Sequence, residues 1–131
     1  MTTRRASCSC GQLYVETSGE PVRVSVCHCL ACQRRTGSVF GAQARFAKTN
    51  TRAEGRSSQY VRTGDSGQTI TYHFCPDCGS TVHYQLDQAP DLIAIPIGAF
   101  GDPQFPIPQV SIYESRQHQW VRLDGSVKHE H

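Results

Sequence analysis

Seven cysteines in three short clusters are the feature that most constrains the fold of this 131-residue chain. The first, middle and last clusters are Cys8-x-Cys10, Cys27-x-Cys29-x-x-Cys32 and Cys75-x-x-Cys78. A C-x-x-C step turns two sulfurs toward one ion, and a C-x-C step does the same at a bend. Clustered cysteines in a reducing cell indicate metal or thiol chemistry rather than a disulfide framework. The sequence therefore predicts zinc as a staple of the fold.

The number of cysteines also limits how zinc is shared among the clusters. A structural zinc takes four sulfurs, whereas a zinc that keeps its fourth position open takes three protein ligands, so seven ligands divide as four plus three. One division joins the first and last clusters and leaves the middle cluster with three ligands. A second joins Cys29 and Cys32 to the last cluster, as in a zinc ribbon. A third has one structural zinc and three spare thiols, and the spacing does not choose among them.

Composition excludes several other classes of protein. Apolar residues make up only 37% of the chain, which is a thin supply for a core without a staple. The longest apolar stretch, 92–100, is interrupted by Pro96 and Gly98 and is far shorter than the roughly 20 residues of a membrane span. The first ten residues lack an apolar signal segment, so we expect a reducing cytoplasm. Basic residues are scattered without an aromatic-interleaved stripe, which argues against nucleic acid as a partner.

The hydrophobic pattern has a period of two along most of the chain and predicts a mainly β protein with very little helix. The predicted strands are 13–17, 22–26, 59–62, 68–74, 82–86, 92–97 and 110–113. The segment 63–67 is predicted to turn a hairpin, and 18–21 to connect the first two strands. One short helix is predicted from Gln33 to Thr36, ending at Gly37. We expect one zinc-binding domain over residues 1–127 and a disordered tail over 128–131.

The cysteine clusters and their flanking residues resemble a known family. The run CHCLACQRRTGSVFG at 27–41 is similar to the signature of the glutathione-dependent formaldehyde-activating enzymes, also called the centromere-protein-V-like family. CSCG at 8–11, FCPDCGS at 74–80 and a late Pro-rich strand with Trp120 extend the resemblance from Ala6 to Arg122. It implies the Mss4-like zinc-bound β fold. It also implies two zinc ions per chain, a structural one at Cys8, Cys10, Cys75 and Cys78 and a catalytic one at Cys27, Cys29 and Cys32.

The resemblance implies an activity as well. In that family the thiol of glutathione adds to formaldehyde to give S-hydroxymethylglutathione, and the reverse reaction is that of a carbon–sulfur lyase. Three thiolates around Zn²⁺ carry a net negative charge, so the site is a poor Lewis acid toward water but leaves an entering thiol electron-rich. We therefore expect a small thiol such as glutathione and an aldehyde as substrates. Arg34 and Arg35 are candidates to bind the carboxylates of glutathione, and Ser38 offers a hydrogen bond to such a peptide-like ligand.

Other residues have simpler interpretations. A C-x-C step aims Cys27 and Cys29 at the ion and the side chain of His28 away from it, so His28 is expected in the outer shell or at the surface. The large aromatic residues are expected in the core for the most part. These are Tyr60, Tyr72, Tyr113 and Trp120.

Two alternative functions compete with the enzyme. The Mss4-like fold also serves as a chaperone of small GTPases, so the chain would then be a non-catalytic zinc module that binds a protein partner. A thiol redox or metal-handling protein is the other alternative. An open fourth position at the three-cysteine site favours the enzyme, whereas a fourth protein ligand there favours the binding module.

Overall fold

The structure is a computed structural model that describes all 131 residues, and it confirms a mainly β protein with one α-helix. The helix, α1, spans Leu30–Thr36. The strands are β1 (Thr3–Ser7), β2 (Tyr14–Ser18), β3 (Arg23–Cys27), β4 (Gly41–Ala47), β5 (Thr51–Glu54), β6 (Ser58–Thr63), β7 (Thr69–Phe74), β8 (Thr81–Leu86), β9 (Leu92–Pro96), β10 (Val110–Ile112) and β11 (Lys128–His129). No helix is long and apolar enough to cross a membrane.

The strands form two sheets. The small sheet has the order β1-β2-β5, and the large sheet has the order β11-β10-β3-β4-β9-β8-β7-β6. The predicted β6–β7 hairpin is confirmed, with the backbone N–H of Gly64 bonded to the carbonyl of Gln68 and Gly67 at a φ of 86°. The predicted connection at residues 18–21 links β2 to β3, which lie in different sheets.

The main core lies on one face of the large sheet, against the small sheet. Alternate residues of β3, β4 and β9 supply one side of it, and β1, β2 and the loop between them supply the other. The buried residues of this core are Ala6, Cys8, Leu13, Val15, Val24, Ala44, Phe46, Cys75, Val82, Ile93, Ile95 and Phe105. The first and last cysteine clusters thus reach the core between the two sheets.

The opposite face of the large sheet carries the polar residues of β3 and β4. In their antiparallel register Cys27 faces Gly41, Ser25 faces Gln43, and Arg23 faces Arg45. Because side chains alternate between the faces of a strand, these six positions share one face. This face holds the cavity described below.

The structure corrects two predicted boundaries. The helix begins at Leu30 rather than after Cys32, because the Cys29 thiol caps it by accepting a hydrogen bond from the backbone N–H of Cys32. Gly37 ends it as predicted, in the left-handed conformation with a φ of 72°. The predicted disordered tail contains β11, whose backbone pairs in parallel with β10 and so has hydrogen-bond partners that composition does not reveal.

The expectation that most large aromatic residues lie in the core is also wrong. Tyr72 is buried, but Tyr60, Tyr113 and Trp120 are exposed by 60%, 40% and 70%. Tyr113 in addition holds a left-handed backbone with a φ of 56°, the one non-glycine residue to do so.

Candidate metal centres and substrate cavity

The first and last cysteine clusters meet in one four-sulfur group. The Sγ atoms of Cys8, Cys10, Cys75 and Cys78 all lie within 4.8 Å of one another. Cys8 and Cys10 are separated by 3.6 Å between sulfurs, and Cys10 and Cys75 by 3.7 Å. A tetrahedral site with Zn–S bonds of about 2.3 Å places its sulfurs about 3.8 Å apart. The group therefore fits a zinc ion, and the ribbon pairing of Cys29 and Cys32 with the last cluster is not formed.

N–H donors surround the four-sulfur group, as thiolates require. The backbone N–H of Leu13 donates to Cys8 at 3.3 Å, and that of Asp77 donates to Cys75 at 3.4 Å. The side-chain amide of Gln12 donates to Cys75 at 3.0 Å. Backbone N–H groups, first that of Ser80, lower the pKa of Cys78 to about 5. Hydrogen bonds of this kind stabilise the deprotonated sulfur, which is the form that binds metal.

The middle cluster forms a separate three-sulfur group at the junction of β3 and α1. Its Sγ atoms also lie within 4.8 Å of one another, and no other Cys, His, Asp or Glu joins them. Cys27 ends β3 opposite Gly41, Cys29 caps α1, and Cys32 lies within its first turn. The middle cluster therefore comes together from one continuous turn of chain.

The three sulfurs share their protons unequally. Hydrogen bonding with the thiols of Cys27 and Cys32 lowers the pKa of Cys29. Hydrogen bonding with Cys29 and Cys32 raises the pKa of Cys27. A divalent cation would take the place of these protons and balance the negative charge of three converging thiolates. The donor set thus fits zinc with one position left for another ligand.

A cavity of about 510 Å³ opens beside the three-sulfur group and lies over the polar face of the large sheet. All three cysteines of the middle cluster line it. Its floor includes Ile70, Tyr72, Tyr84 and Leu86, which belong to a second apolar cluster completed by the buried Ala94. The four-sulfur group does not line this cavity, so the two groups differ in access as well as in number of ligands.

Four arginines line the cavity against one acidic residue. They are Arg34, Arg45, Arg62 and Arg116, and the acid is Asp65. Arg62 donates to the hydroxyl of Tyr72 at 3.3 Å, a contact that raises the pKa of the guanidinium. Sequence reasoning missed Arg45, Arg62 and Arg116, because each comes from a strand or loop remote from the cysteines. The one available signal was the alternation of side chains along β3, which places Arg23 and Ser25 on the same face of the strand as Cys27.

The residues predicted to bind the thiol are placed differently from one another. Arg34 is exposed and lines the cavity. Arg35 lies over the rings of Tyr72 and Tyr84, 5.4 and 5.3 Å from their centroids, and does not line it. Ser38 is exposed, also outside the cavity lining, and its backbone N–H bonds to Thr36. Of the three, only Arg34 lines the cavity.

His28 is fully buried and directed away from the sulfurs. Its Nε2 lies 2.8 Å from the hydroxyl of Ser111 on β10, and its ring meets Phe40 edge to face. Burial lowers the pKa of the imidazole, so the ring is neutral at pH 7. His28 links the turn of the middle cluster to the neighbouring strand and does not belong to the three-sulfur group.

Comparison with known proteins agrees with this arrangement. The model of the family described as glutathione-dependent formaldehyde-activating enzyme matches residues 3–116, which include all seven cysteines. The chain belongs to this family. A crystal structure of a Rhodobacter sphaeroides protein resembles it with a TM-score of 0.58 and 20% identity, over 76% of this chain and 92% of that one. At that identity the likeness concerns the fold alone. A search of curated proteins found no match.

Membership in the formaldehyde-activating family gives the chemistry its general direction. The family description joins glutathione to formaldehyde, a thiol to an aldehyde. The two cysteine groups have the ligand types and spacing of zinc sites.

Proposed function

We propose that this chain is a zinc-dependent carbon–sulfur lyase of the S-hydroxymethylglutathione synthase type, working in the reducing cytoplasm. Its substrates would be a small thiol such as glutathione and an aldehyde such as formaldehyde. The observation that carries the proposal is the position of the three-sulfur group at the wall of a 510 Å³ cavity. The four-sulfur group, outside that cavity, would hold the structural zinc.

The two zinc sites would be held by this chain's cysteines alone. Cys27, Cys29 and Cys32 would hold the catalytic ion, and a bound zinc would supply a lowered pKa to an entering thiol, which would then be a thiolate at neutral pH. Cys29 takes part in this site and also caps α1, so the same residue binds the ion and fixes the first turn of the helix.

The reaction balances without any oxidant or reductant. The thiol sulfur forms a bond to the aldehyde carbon, the π electrons of the C=O bond move to oxygen, and the proton lost by the thiol ends on that oxygen. The reverse reaction breaks the carbon–sulfur bond and returns the proton to sulfur. The protein has to hold the thiol against the middle cluster and keep the adduct in the cavity.

The charge of the cavity favours an anionic thiol. Arg34, Arg45, Arg62 and Arg116 exceed the single Asp65, and glutathione brings two carboxylates. Residues of the floor such as Tyr72 and Tyr84 offer contact to the carbon skeleton of the adduct.

The absence of a fourth protein ligand at the three-sulfur group favours the enzyme over a closed zinc module that binds a protein. The nearest histidine in sequence, His28, is engaged with Ser111. The three-sulfur group therefore keeps a position for substrate, which the binding module would not need.

Exchange NMR at equilibrium tests the proposal. The rate at which glutathione and formaldehyde interconvert with S-hydroxymethylglutathione is measured without protein, with zinc-loaded protein and with Cys29→Ala. We expect acceleration by the wild type and a return to the uncatalysed rate with Cys29→Ala. No acceleration by protein that holds two zinc ions would refute the proposed reaction.

A further inference from the structure

Arg45 and Arg23 form a pair of like charges at the end of the cavity face remote from the cysteines. They lie directly opposite each other in the antiparallel pair of β4 and β3, and Arg45 lines the cavity. Like charges in this position destabilise a sheet unless something compensates them. Burial, and then the charge of Arg23, lower the pKa of Arg45.

Neither arginine has a partner within the chain. No carboxylate forms an ion pair with either guanidinium. The Nε of Arg23 is buried and makes no hydrogen bond. Two half-buried cations without an acid or an acceptor oxygen mark a place where an anion from outside the chain would be stabilised.

The register sets the distance between this pair and the sulfurs. Gly41 faces Cys27 and Arg45 faces Arg23, so four residues separate the two positions along each strand. At about 3.3 Å per residue this is about 13 Å between α-carbons. Gln43 lies midway, and its Oε1 is buried without a hydrogen-bond partner. A peptide N–H is the group that would complement such an acceptor.

We propose that Arg45, supported by Arg23, is the carboxylate anchor that selects peptide thiols whose acid group lies several bonds from the sulfur. The inference rests on the proposed function, since it assumes that the sulfur of the ligand lies at the middle cluster. A thiol as short as cysteine cannot reach both ends. The anchor thus discriminates by the length of the ligand as well as by its charge.

Binding of a thioether tests the anchor apart from catalysis, because a blocked sulfur cannot react. Calorimetry would measure the affinity of the zinc-loaded protein for S-methylglutathione, its diethyl ester and S-methylcysteine. Arg45→Gln removes the charge and Arg45→Lys keeps it. Arg122→Gln is the matched control, because Arg122 is exposed and donates only to the carbonyls of Gln119 and Val121. Zinc content and thermal unfolding verify that each variant is folded.

We expect the wild type to bind S-methylglutathione about 10- to 100-fold more tightly than the diethyl ester. Arg45→Gln should remove that preference, while its affinities for the diethyl ester and for S-methylcysteine should stay within about twofold of the wild-type values. Arg45→Lys should restore part of the preference. Arg122→Gln should behave as wild type. The anchor would be overturned if Arg45→Gln weakened the binding of S-methylglutathione and of its diethyl ester equally. It would also be overturned if the wild type bound the two ligands with equal affinity.

The exchange assay separates this inference from the proposed reaction. Acceleration by the wild type together with unaltered binding by Arg45→Gln overturns the anchor alone. Arg45-dependent binding of S-methylglutathione without any acceleration supports the anchor and overturns the reaction. A wild type that does not bind S-methylglutathione overturns the anchor, whatever the exchange assay gives.

Discussion

Gly41 packs its α-carbon against the side chain of Cys32. A Cβ at position 41 would lie 3.3 Å from the Cβ of Cys32 and 3.6 Å from its Sγ. The same glycine faces Cys27 across the β3–β4 pair. The close approach of strand and helix therefore brings Cys32 to Cys27, and only a residue without a side chain leaves both in place.

Gly41→Ala should loosen the three-sulfur group selectively. The added methyl is tighter against Cys32 than an ordinary contact and also comes 3.1 Å from Nη2 of Arg35. We expect zinc affinity at the middle cluster to fall by about 10- to 100-fold, as when the surroundings of metal ligands are disturbed. Chelator competition measures it. Gly98→Ala is the control, since a Cβ there meets nothing within 4 Å; equal affinities in both variants would contradict the packing argument.

Cys75→Ala and Cys29→Ala should have opposite consequences for folding. Cys75 is fully buried in the core between the sheets, and loss of its zinc removes folding free energy directly. We expect no cooperative unfolding transition for Cys75→Ala, and a folded protein with one zinc for Cys29→Ala. Circular dichroism and metal analysis distinguish them. A Cys29→Ala product that is unfolded would contradict the division into structural and catalytic sites.

Gln12→Ala should weaken the four-sulfur group without touching a ligand. The amide of Gln12 donates to Cys75 at 3.0 Å and to the carbonyl of Arg56 at 2.8 Å, and it accepts from the N–H of Arg56 at 2.9 Å. Losing these bonds should lower the free energy of unfolding by about 1–3 kcal/mol. Urea denaturation measures the change. Gln88→Ala, at an exposed position in a loop, should stay within about 0.5 kcal/mol of wild type.

Local patterns explain which parts of the fold were predictable. The β6–β7 hairpin combines alternation with a turn sequence, so neighbouring residues carry all the information. The strand β4 was not predicted, although Ala44 and Phe46, which enter the core, alternate with Gln43 and Arg45, which line the cavity. Two of its apolar residues on the core side are alanines, which have a low preference for strands and give only a weak hydrophobic signal.

The residues of the candidate site also divide into those that the sequence predicts and those that it does not. The cysteines are recognisable as candidate ligands in the sequence, because metal ligands come in closely spaced groups whose spacing has a geometric reason. Arg45 and Arg62 have no such spacing, and their place in the lining of the cavity follows from the order of strands in the large sheet. Arg35 is the reverse case. Its closeness to Cys32 in sequence predicted that it binds a carboxylate of the thiol, but its side chain packs on the rings of Tyr72 and Tyr84.

The stacked pair of His73 and His83 should make stability depend on pH. Burial, and then the charge of His73, lower the pKa of His83 from 6.5 to about 4. Above pH 6.5 neither state binds the proton and the effect is absent. As pH falls from 6.5 toward 4 the unfolded state takes up a proton that the folded state refuses, so stability is lost.

Urea denaturation in excess zinc at about pH 7 and about pH 5.5 measures this loss, which should be about 1 kcal/mol smaller in His83→Gln than in wild type. His131→Gln is the control, at an exposed position. Equal pH dependence in His83→Gln and wild type would contradict the origin assigned to it.

Catalysis is proposed to belong to the three-sulfur group and folding to the four-sulfur group, and zinc titration of the exchange reaction separates the two roles. Protein carrying one zinc, prepared by dialysis against a moderate chelator, is titrated with zinc while the interconversion of glutathione, formaldehyde and S-hydroxymethylglutathione is followed by NMR. We predict a folded but inactive one-zinc protein and a rate that rises in proportion to the second equivalent. Full acceleration with one zinc, or none with two, would contradict the account.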